Sequence, residues 1–156
     1  LIEAPSKLTG VASENCGTDE LVVICAPDYP LAGSASITPK ALVDYEYISR
    51  EPGSGTREVT ETYFRKHKIE PELLKLQMEL GSPEAVKSVV KLGLGFAIVS
   101  RLVVETEINN ASLLVIPLKP ALKRSLNLIY PQDRFRSRLA STFIDFSKSK
   151  LRELVA

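Results

Sequence analysis

The fold is decided by residues 80–104, which read LGSPEAVKSVVKLGLGFAIVSRLVV. Ser82 is a suitable N-cap and Pro83 a suitable first residue for a helix, and Gly93 is suited to end that helix. The residues between them repeat an apolar side chain at helical spacing, at Ala85, Val86, Val89 and Val90. An apolar strand is predicted over residues 95–100. The turn at Gly81 and Ser82 therefore presents backbone N–H groups, a hydroxyl and the positive end of a helix dipole at one place.

A second turn of the same kind lies at residues 50–57, REPGSGTR. It follows a strand predicted over residues 45–49 and precedes a helix predicted over residues 56–68. The turn combines glycines that permit close approach of the backbone, hydroxyls that can bind a ligand, and flanking arginines that can neutralise an anion. These residues are Gly53, Gly55, Ser54, Thr56, Arg50 and Arg57. The turn is not a P-loop, because Gly-Lys-Ser/Thr is absent.

Each turn also has a purely structural interpretation. Ser82 can simply cap its helix, a role worth about 1 kcal/mol, and residues 53–56 can form an ordinary loop with solvated arginines beside it. The two interpretations are not exclusive, because a capping hydroxyl can exchange its backbone partner for a ligand. Both stay open here. The candidate ligand-binding residues of the turns are Arg50, Ser54, Gly55, Thr56, Gly81 and Ser82.

The rest of the chain alternates predicted strands with predicted helices. Residues 20–26 form a continuous β-branched apolar run, which is typical of a strand buried on both faces in a parallel sheet. Further strands are predicted over residues 76–80, 113–117 and 125–130, and short helices over residues 37–42 and 101–106. This alternation predicts an α/β fold with a largely parallel sheet. In such a sheet, ligands bind beyond the carboxyl ends of the strands, where both turns fall.

The longest helix is predicted over residues 135–155. Its apolar residues Phe135, Leu139, Phe143 and Phe146 repeat at spacings of three and four. We therefore expect this stripe to pack against a sheet and to close the domain.

Composition limits the classes of function. The 156 residues suffice for one ordinary domain or two small lobes, and the 44% hydrophobic fraction is that of a globular protein. Twenty Lys and Arg against 19 Asp and Glu argue against a free-standing nucleic-acid binder. No apolar run reaches the ~18 residues of a membrane span, and no signal peptide is recognisable. Two cysteines are too few for a disulfide scaffold, so free thiols and a cytoplasmic location are expected.

The chain lacks a recognisable set of catalytic or metal-ligating residues. His67 is the only histidine and stands between Lys66 and Lys68, at the expected end of a helix. There is no Gly-x-Ser-x-Gly, no His/Cys cluster with zinc spacing and no evident carboxylate pair. We expect neither an enzyme nor a bound metal or cofactor. The glycines at 93 and 95 follow a helix and precede a strand, which is the reverse of a dinucleotide fingerprint.

Three stretches in this order resemble the C-terminal effector-binding domain of LysR-type bacterial transcription regulators. They are DELVVICAPDYPL at residues 19–31, REPGSGTR at residues 50–57, and ELGSPEAVK at residues 79–87 continuing to GLGFAIVS at residues 93–100. The resemblance covers essentially the whole chain. It implies a type 2 periplasmic-binding-protein-like fold, in which two α/β lobes are joined by two crossing strands and a small effector binds in the cleft between them.

On this resemblance, residues 20–26 and 125–130 match the crossing strands. Residues 28–122 then form the second lobe, and residues 1–27 with 123–156 form a partial first lobe. Ala26, near the end of the first crossing strand, joins the residues of the two turns as a candidate effector contact through its backbone. The family's N-terminal helix-turn-helix, linker helix and opening strand–helix units of the first lobe have no counterpart here, so half of the expected cleft is missing.

The resemblance predicts an effector-sensing domain that binds a small metabolite or anion and thereby controls DNA binding by an N-terminal module. It further implies a homo-oligomer. One alternative is a transport-type solute-binding protein of the same fold. Another is an enzyme on a similar two-lobed scaffold, for which Cys25 or His67 would have to act. The sequence does not identify the effector or the target genes, nor does it distinguish an activator from a repressor.

Overall fold

The computed structural model describes residues 10–132 and 137–154. Six strands and four α-helices are described within these ranges. In chain order they are β1 Val11–Cys25, β2 Glu46–Arg50, α1 Gly55–Lys66, β3 Lys75–Leu80, α2 Pro83–Lys91, β4 Ala97–Ser100, α3 Glu105–Asn109, β5 Leu114–Ile116, β6 Leu122–Pro131 and α4 Arg138–Leu154. Short 3-10 helices lie at Pro39–Asp44, Pro71–Leu73 and Arg101–Val103.

The chain divides into two compact units. One consists of residues 1–19 and 123–156, and the other of residues 20–122. The resemblance predicts that the second lobe begins at residue 28, whereas this unit begins at residue 20. The assignment of 1–27 with 123–156 to one lobe and 28–122 to the other stays a prediction.

The unit formed by residues 20–122 is built around the second half of β1. This segment lies between β4 and β5, with Leu21 opposite Ser100 and Cys25 opposite Leu114. Both neighbours run antiparallel to β1. The expectation of a largely parallel sheet is therefore wrong for the centre of this unit. The continuous apolar run indicates burial on two faces, and it carries no information on the direction of the neighbouring strands.

Two apolar clusters cover the two faces of this half of β1. Leu21 and Val23 belong to one cluster, and Val22 and Ile24 belong to the other, as the alternation of side chains along a strand requires. Helix α1 contributes buried aromatic side chains to the first cluster, and α2 contributes valines to the second. The expected strand buried on both faces is confirmed.

Strands β2 and β3 form a parallel pair, with Glu46 opposite Lys75 and Arg50 opposite Leu80. A single parallel bridge joins Tyr47 to Phe96, immediately before β4. Hydrogen bonds from Ile48 N to the Phe96 carbonyl (2.8 Å) and from Phe96 N to the Glu46 carbonyl (2.9 Å) flank this bridge. β2, β3 and β4 therefore run in the same direction and end at the same edge.

In the other unit, β6 pairs with the first half of β1. Gln132 N donates to the Gly10 carbonyl at 2.9 Å, and at the opposite end of the pair Arg124 and Asp19 form a buried ion pair. The residue after β6 thus contacts the residue before β1, and the beginning of β6 contacts Asp19 in the middle of β1. Helix α4 contacts β1 through Lys148, whose Nζ lies 2.5 Å from a Glu14 carboxylate oxygen.

The apolar stripe expected to pack against a sheet lies differently. Leu139, Phe143 and Phe146 are 81%, 66% and 59% exposed, whereas Ile144 on another face of α4 is buried. The interpretation of the stripe as a packed face is wrong for this structure, because Lys148 and Ile144 place another face of the helix inward. Phe135 lies outside the described residues.

Candidate functional site

The two Ser/Gly turns lie side by side. Each follows one strand of the parallel pair β2–β3, and the last residues of these strands, Arg50 and Leu80, are direct partners. A hydrogen bond of 3.2 Å from Glu51 N to the Leu80 carbonyl continues the pairing into the turns. Helices α1 and α2 begin directly after them, so their N-termini follow neighbouring strands at one edge. Unpaired N–H groups at such an edge form a suitable environment for an anion.

The second turn is held by a conventional helix cap. Ser82 is exposed, and its Oγ accepts a hydrogen bond of 3.2 Å from Ala85 N. The following Pro83 occupies the first turn of α2, as the sequence predicts. An exposed capping hydroxyl is accessible to a ligand that competes for, or shares, its hydrogen bonds.

The first turn differs, because Ser54 is buried and its side chain makes no capping hydrogen bond in the described part of the chain. Its carbonyl accepts the amide of Glu58 at 3.0 Å, so the backbone alone starts α1. Gly55 is the first residue of the helix, and Thr56 follows it with a half-buried side chain. A shallow cavity of about 330 Å³ lies beside Ser54 and Arg57.

The arginines beside the first turn already bind carboxylates. Arg50 donates to both oxygens of Glu51, at 2.7 and 2.9 Å. Arg57 donates to Glu61 at 2.8 Å, to Glu79, and to the Arg50 carbonyl at 3.1 Å. An incoming anion would have to compete with these internal carboxylates. The hydroxyls, backbone amides and helix dipoles therefore form the larger part of what the turns offer.

Ala26 is not brought together with the turns. Since β1 runs antiparallel to β4, Leu21 lies opposite Ser100 at the edge where β4 ends, and the last residues of β1 lie at the opposite edge. Ala26 itself is buried and its carbonyl accepts the amide of Tyr29 at 3.1 Å. Ala26 was a candidate only because the resemblance matches it to an effector contact, and the structure does not bring it together with the serine turns.

A third hydroxyl at this edge, that of Ser100, was not among the residues predicted from the sequence. This residue ends β4, is buried, and its Oγ accepts the amide of Leu102 at 3.2 Å. The position shares its pattern with Ser54 and Ser82, since a serine follows an apolar strand and begins a helical turn. That pattern was available in the sequence.

The two residues considered for catalysis have structural roles. Burial raises the pKa of the Cys25 thiol to about 11, so little reactive thiolate forms near neutral pH. His67 ends α1, and its Nδ1 lies 2.7 Å from the Tyr63 carbonyl oxygen.

Within residues 10–132 and 137–154, no group of three or more His, Cys, Asp or Glu is arranged to hold a metal ion. In the same residues, no helix has the length and hydropathy to cross a membrane.

Comparison with known proteins places this architecture in a family. Residues 1–152 match the model of the LysR substrate binding domain. The chain is 33% identical over 147 residues to a RuBisCO operon transcriptional regulator of Acidithiobacillus ferrooxidans, covering 94% of this chain and 47% of that protein. It is 37% identical over 147 residues to the HTH-type transcriptional regulator YeiE of Escherichia coli K12, covering 93% and 48%. The chain thus spans about half the length of these relatives.

Solved structures show the same fold. The regulatory domain of CcmR from Synechocystis PCC6803, in complex with 2-PG, has a TM-score of 0.84 and 28% identity, over 99% of this chain and 71% of that one. The effector binding domain of QuiR, in complex with shikimate, has a TM-score of 0.82 and 21% identity, over 96% and 70%. The chain therefore belongs to the LysR substrate-binding domain family, the effector-binding part of LysR-type transcription regulators, and not to a family of enzymes.

Proposed function

We propose that this chain senses a small anionic metabolite through the edge at which β2, β3 and β4 end, within a longer transcription regulator. The observation that carries the proposal is the pairing of Arg50 with Leu80, because it brings two serine turns and two helix N-termini together. Helix N-termini favour anions through their unpaired N–H groups and dipoles. The complexes of CcmR with 2-PG and of QuiR with shikimate support a small metabolite as the class of effector.

The candidate effector contacts differ in their exposure and in the groups that they present to a ligand. Ser82 and Gly81 are exposed and present a capped helix N-terminus directly. Ser54, Gly55 and Thr56 offer backbone amides and hydroxyls at the neighbouring helix. Ser100 joins them at the end of β4. Arg50 contributes only where the effector replaces Glu51 on its guanidinium, and Ala26 is not included.

The proposal extends to the protein of which this chain would be a part. An N-terminal helix-turn-helix, as in the HTH-type relative, would bind DNA in the cytoplasm, and effector binding would shift the arrangement of a homo-oligomer. In the described residues, β3 has β2 as its ladder partner on one side only, and Leu76 and Met78 on it are exposed. Such an edge is suited to pairing with another subunit.

The effector site is tested with the variant Ser82→Asp. Aspartate is as good an N-cap as serine, so α2 keeps its cap, but its charge repels an anion at the same place. The matched control is Ser137→Asp, since Ser137 caps α4 by accepting the amide of Ala140 at 3.1 Å. Thermal shifts are measured with inorganic phosphate, shikimate and 2-PG.

We expect at least one probe to raise the melting temperature of the parent chain and of Ser137→Asp, but not of Ser82→Asp. Equal shifts in the two variants would remove the α2 N-terminus from the site.

The oligomer is examined separately by sedimentation of the parent chain and of Met78→Lys, which places a charge on the exposed edge. A parent that sediments as a monomer at all concentrations would contradict an assembly through β3 of this chain.

A further inference from the structure

A second cavity lies in the same unit, between α1 and the β2–β3 pair. Its volume is about 250 Å³. At roughly 30 Å³ per water molecule, it has room for about eight non-hydrogen atoms. It opens near the exposed strand β3, where Leu76 forms part of its rim. Its size suits a small organic molecule, below the usual volume of a site for a drug-sized ligand.

The walls of the cavity combine apolar surface with buried hydroxyls. Phe64 and Leu74 supply buried apolar surface, and the buried residues Tyr47, Ser49 and Thr60 bring hydroxyl groups to the lining. Burial raises the pKa of Tyr47 to about 12, so its phenol is neutral and can donate a hydrogen bond. Such walls accept an apolar body that carries one polar group.

The charges of the cavity favour a cation over an anion. Its lining contains one guanidinium, Arg57, and two carboxylates, Glu61 and Glu72. Arg57 is bound to Glu61 and Glu79, and Arg65 is also bound to Glu61, so three carboxylates stand against two guanidinium groups. The hydrogen bond from Arg57 lowers the pKa of Glu61, so this carboxylate stays ionised near neutral pH. An added anion would meet an excess of negative charge, whereas an added ammonium would meet aromatic faces and carboxylates.

We propose that this cavity binds a small organic amine with an apolar body. This inference does not rest on the proposed effector site, which selects the opposite charge at the N-terminus of α1, although Arg57 and Glu61 line both places. The two sites share Arg57, which lines the cavity and also donates to the Arg50 carbonyl at the end of β2. A ligand in the cavity therefore contacts α1, the helix that begins directly after Ser54.

The test compares three probes of nearly equal shape and different charge: benzylamine, benzyl alcohol and benzoate. Binding to the whole chain is followed by NMR, through the resonances of Thr60 and Tyr47. We expect saturable shifts with benzylamine and an affinity at least fivefold lower for benzyl alcohol and for benzoate. Equal affinities for the three probes, or shifts that spare Thr60 and Tyr47, would overturn the proposal.

Two surface variants complete the test without disturbing the core. Leu76→Trp places a larger side chain at the rim, with Leu92→Trp as the matched control, because Leu92 is exposed and lies outside the cavity lining. Glu72→Gln removes one carboxylate at an exposed position. We expect Leu76→Trp to weaken benzylamine binding at least tenfold and Glu72→Gln severalfold, with Leu92→Trp unchanged. Unchanged affinity in both Leu76→Trp and Glu72→Gln would contradict this location of the site.

Discussion

Arg124 and Asp19 form a nearly inaccessible ion pair between β6 and β1. Arg124 Nε and Nη2 lie 2.8 and 2.7 Å from the same oxygen of Asp19. Removal of one partner of a buried pair leaves the other charge desolvated and costs about 3–5 kcal/mol. We therefore expect Arg124→Met to lower the free energy of unfolding by about that amount, measured by denaturant titration.

The control for this prediction is Arg65→Met. Arg65 pairs with Glu61 at 3.2 Å, but its side chain is 50% exposed, so its loss should cost less than about 0.5 kcal/mol. Equal effects of the two substitutions would show that burial does not decide the importance of the Asp19–Arg124 pair.

Glu107 provides the protein with a pH-dependent contact. It is buried, and its carboxylate accepts hydrogen bonds from Lys91 at 3.1 Å and from Lys87 at 3.3 Å. Burial alone would raise the pKa of Glu107, but these two lysines lower it below its ordinary value. A carboxyl group whose pKa is lowered by folding stabilises the protein above its unfolded pKa, and this stabilisation disappears as the pH falls through the folded pKa.

The corresponding variant is Glu107→Gln. At neutral pH we expect it to lower the free energy of unfolding by about 1.5–3 kcal/mol, as for hydrogen bonds with charged partners. The difference from the parent chain should shrink steadily below the ordinary pKa of a glutamate, near 4.5. Unfolding titrations at a series of acidic pH values measure it. A difference that is constant with pH would indicate a packing effect and not an ionic one.

At this scale the sequence predicts contacts between near neighbours and little else. The Ser82–Ala85 cap follows from a Ser-Pro pair ahead of an amphipathic run, and the structure contains it. The bonding of Arg57 to Glu79 joins residues far apart in the chain, through the pairing of β2 with β3. No local pattern specifies that partner, so the sequence left this arginine available for an anion.

At the scale of elements, Gly95 controls how closely the chain before β4 approaches β2. A Cβ at this position would lie 2.6 Å from the backbone oxygen of Glu46, the same oxygen that accepts the amide of Phe96. Since neither backbone can move without breaking that bond, we expect Gly95→Ala to destabilise the chain by about 1–3 kcal/mol. Thermal or denaturant unfolding measures the loss.

Gly33→Ala is the matched control for this substitution. A Cβ at Gly33 meets no atom within 4 Å, so its effect should stay within about 0.5 kcal/mol. The structure shows a close approach between two backbones of neighbouring strands. A loss at Gly33 as large as that at Gly95 would mean that glycine flexibility, and not space, sets the cost.

The elements themselves were predictable where local chemistry decides them. The predicted strands and helices over residues 45–49, 56–68 and 76–80 correspond to β2, α1 and β3 within two residues at each end. Strand direction was not predictable, because antiparallel pairing of β1 with β4 and β5 depends on contacts distant in sequence. The distance along the sheet between Ala26 and the serine turns follows from that pairing.

At the scale of the whole molecule, the apolar clusters found among residues 10–132 and 137–154 are divided unequally between the two units. All members of the two clusters around β1, β4 and β5 lie within residues 20–122. The other unit presents Leu139, Phe143 and Phe146 to solvent on α4. Sequence periodicity marks such residues as apolar, but which face of a helix is covered depends on the other elements beside it.

This inequality predicts which part of the chain folds by itself. A fragment of residues 20–122 keeps both clusters complete on the two faces of the β1 segment, so we expect it to unfold cooperatively in denaturant. A fragment of residues 27–122 lacks Leu21–Cys25, which lie between β4 and β5 and belong to both clusters. It should give no cooperative transition, since the two faces then lose their common strand. Circular dichroism during urea titration distinguishes the fragments, and similar transitions in both would show that the core of this unit does not depend on β1.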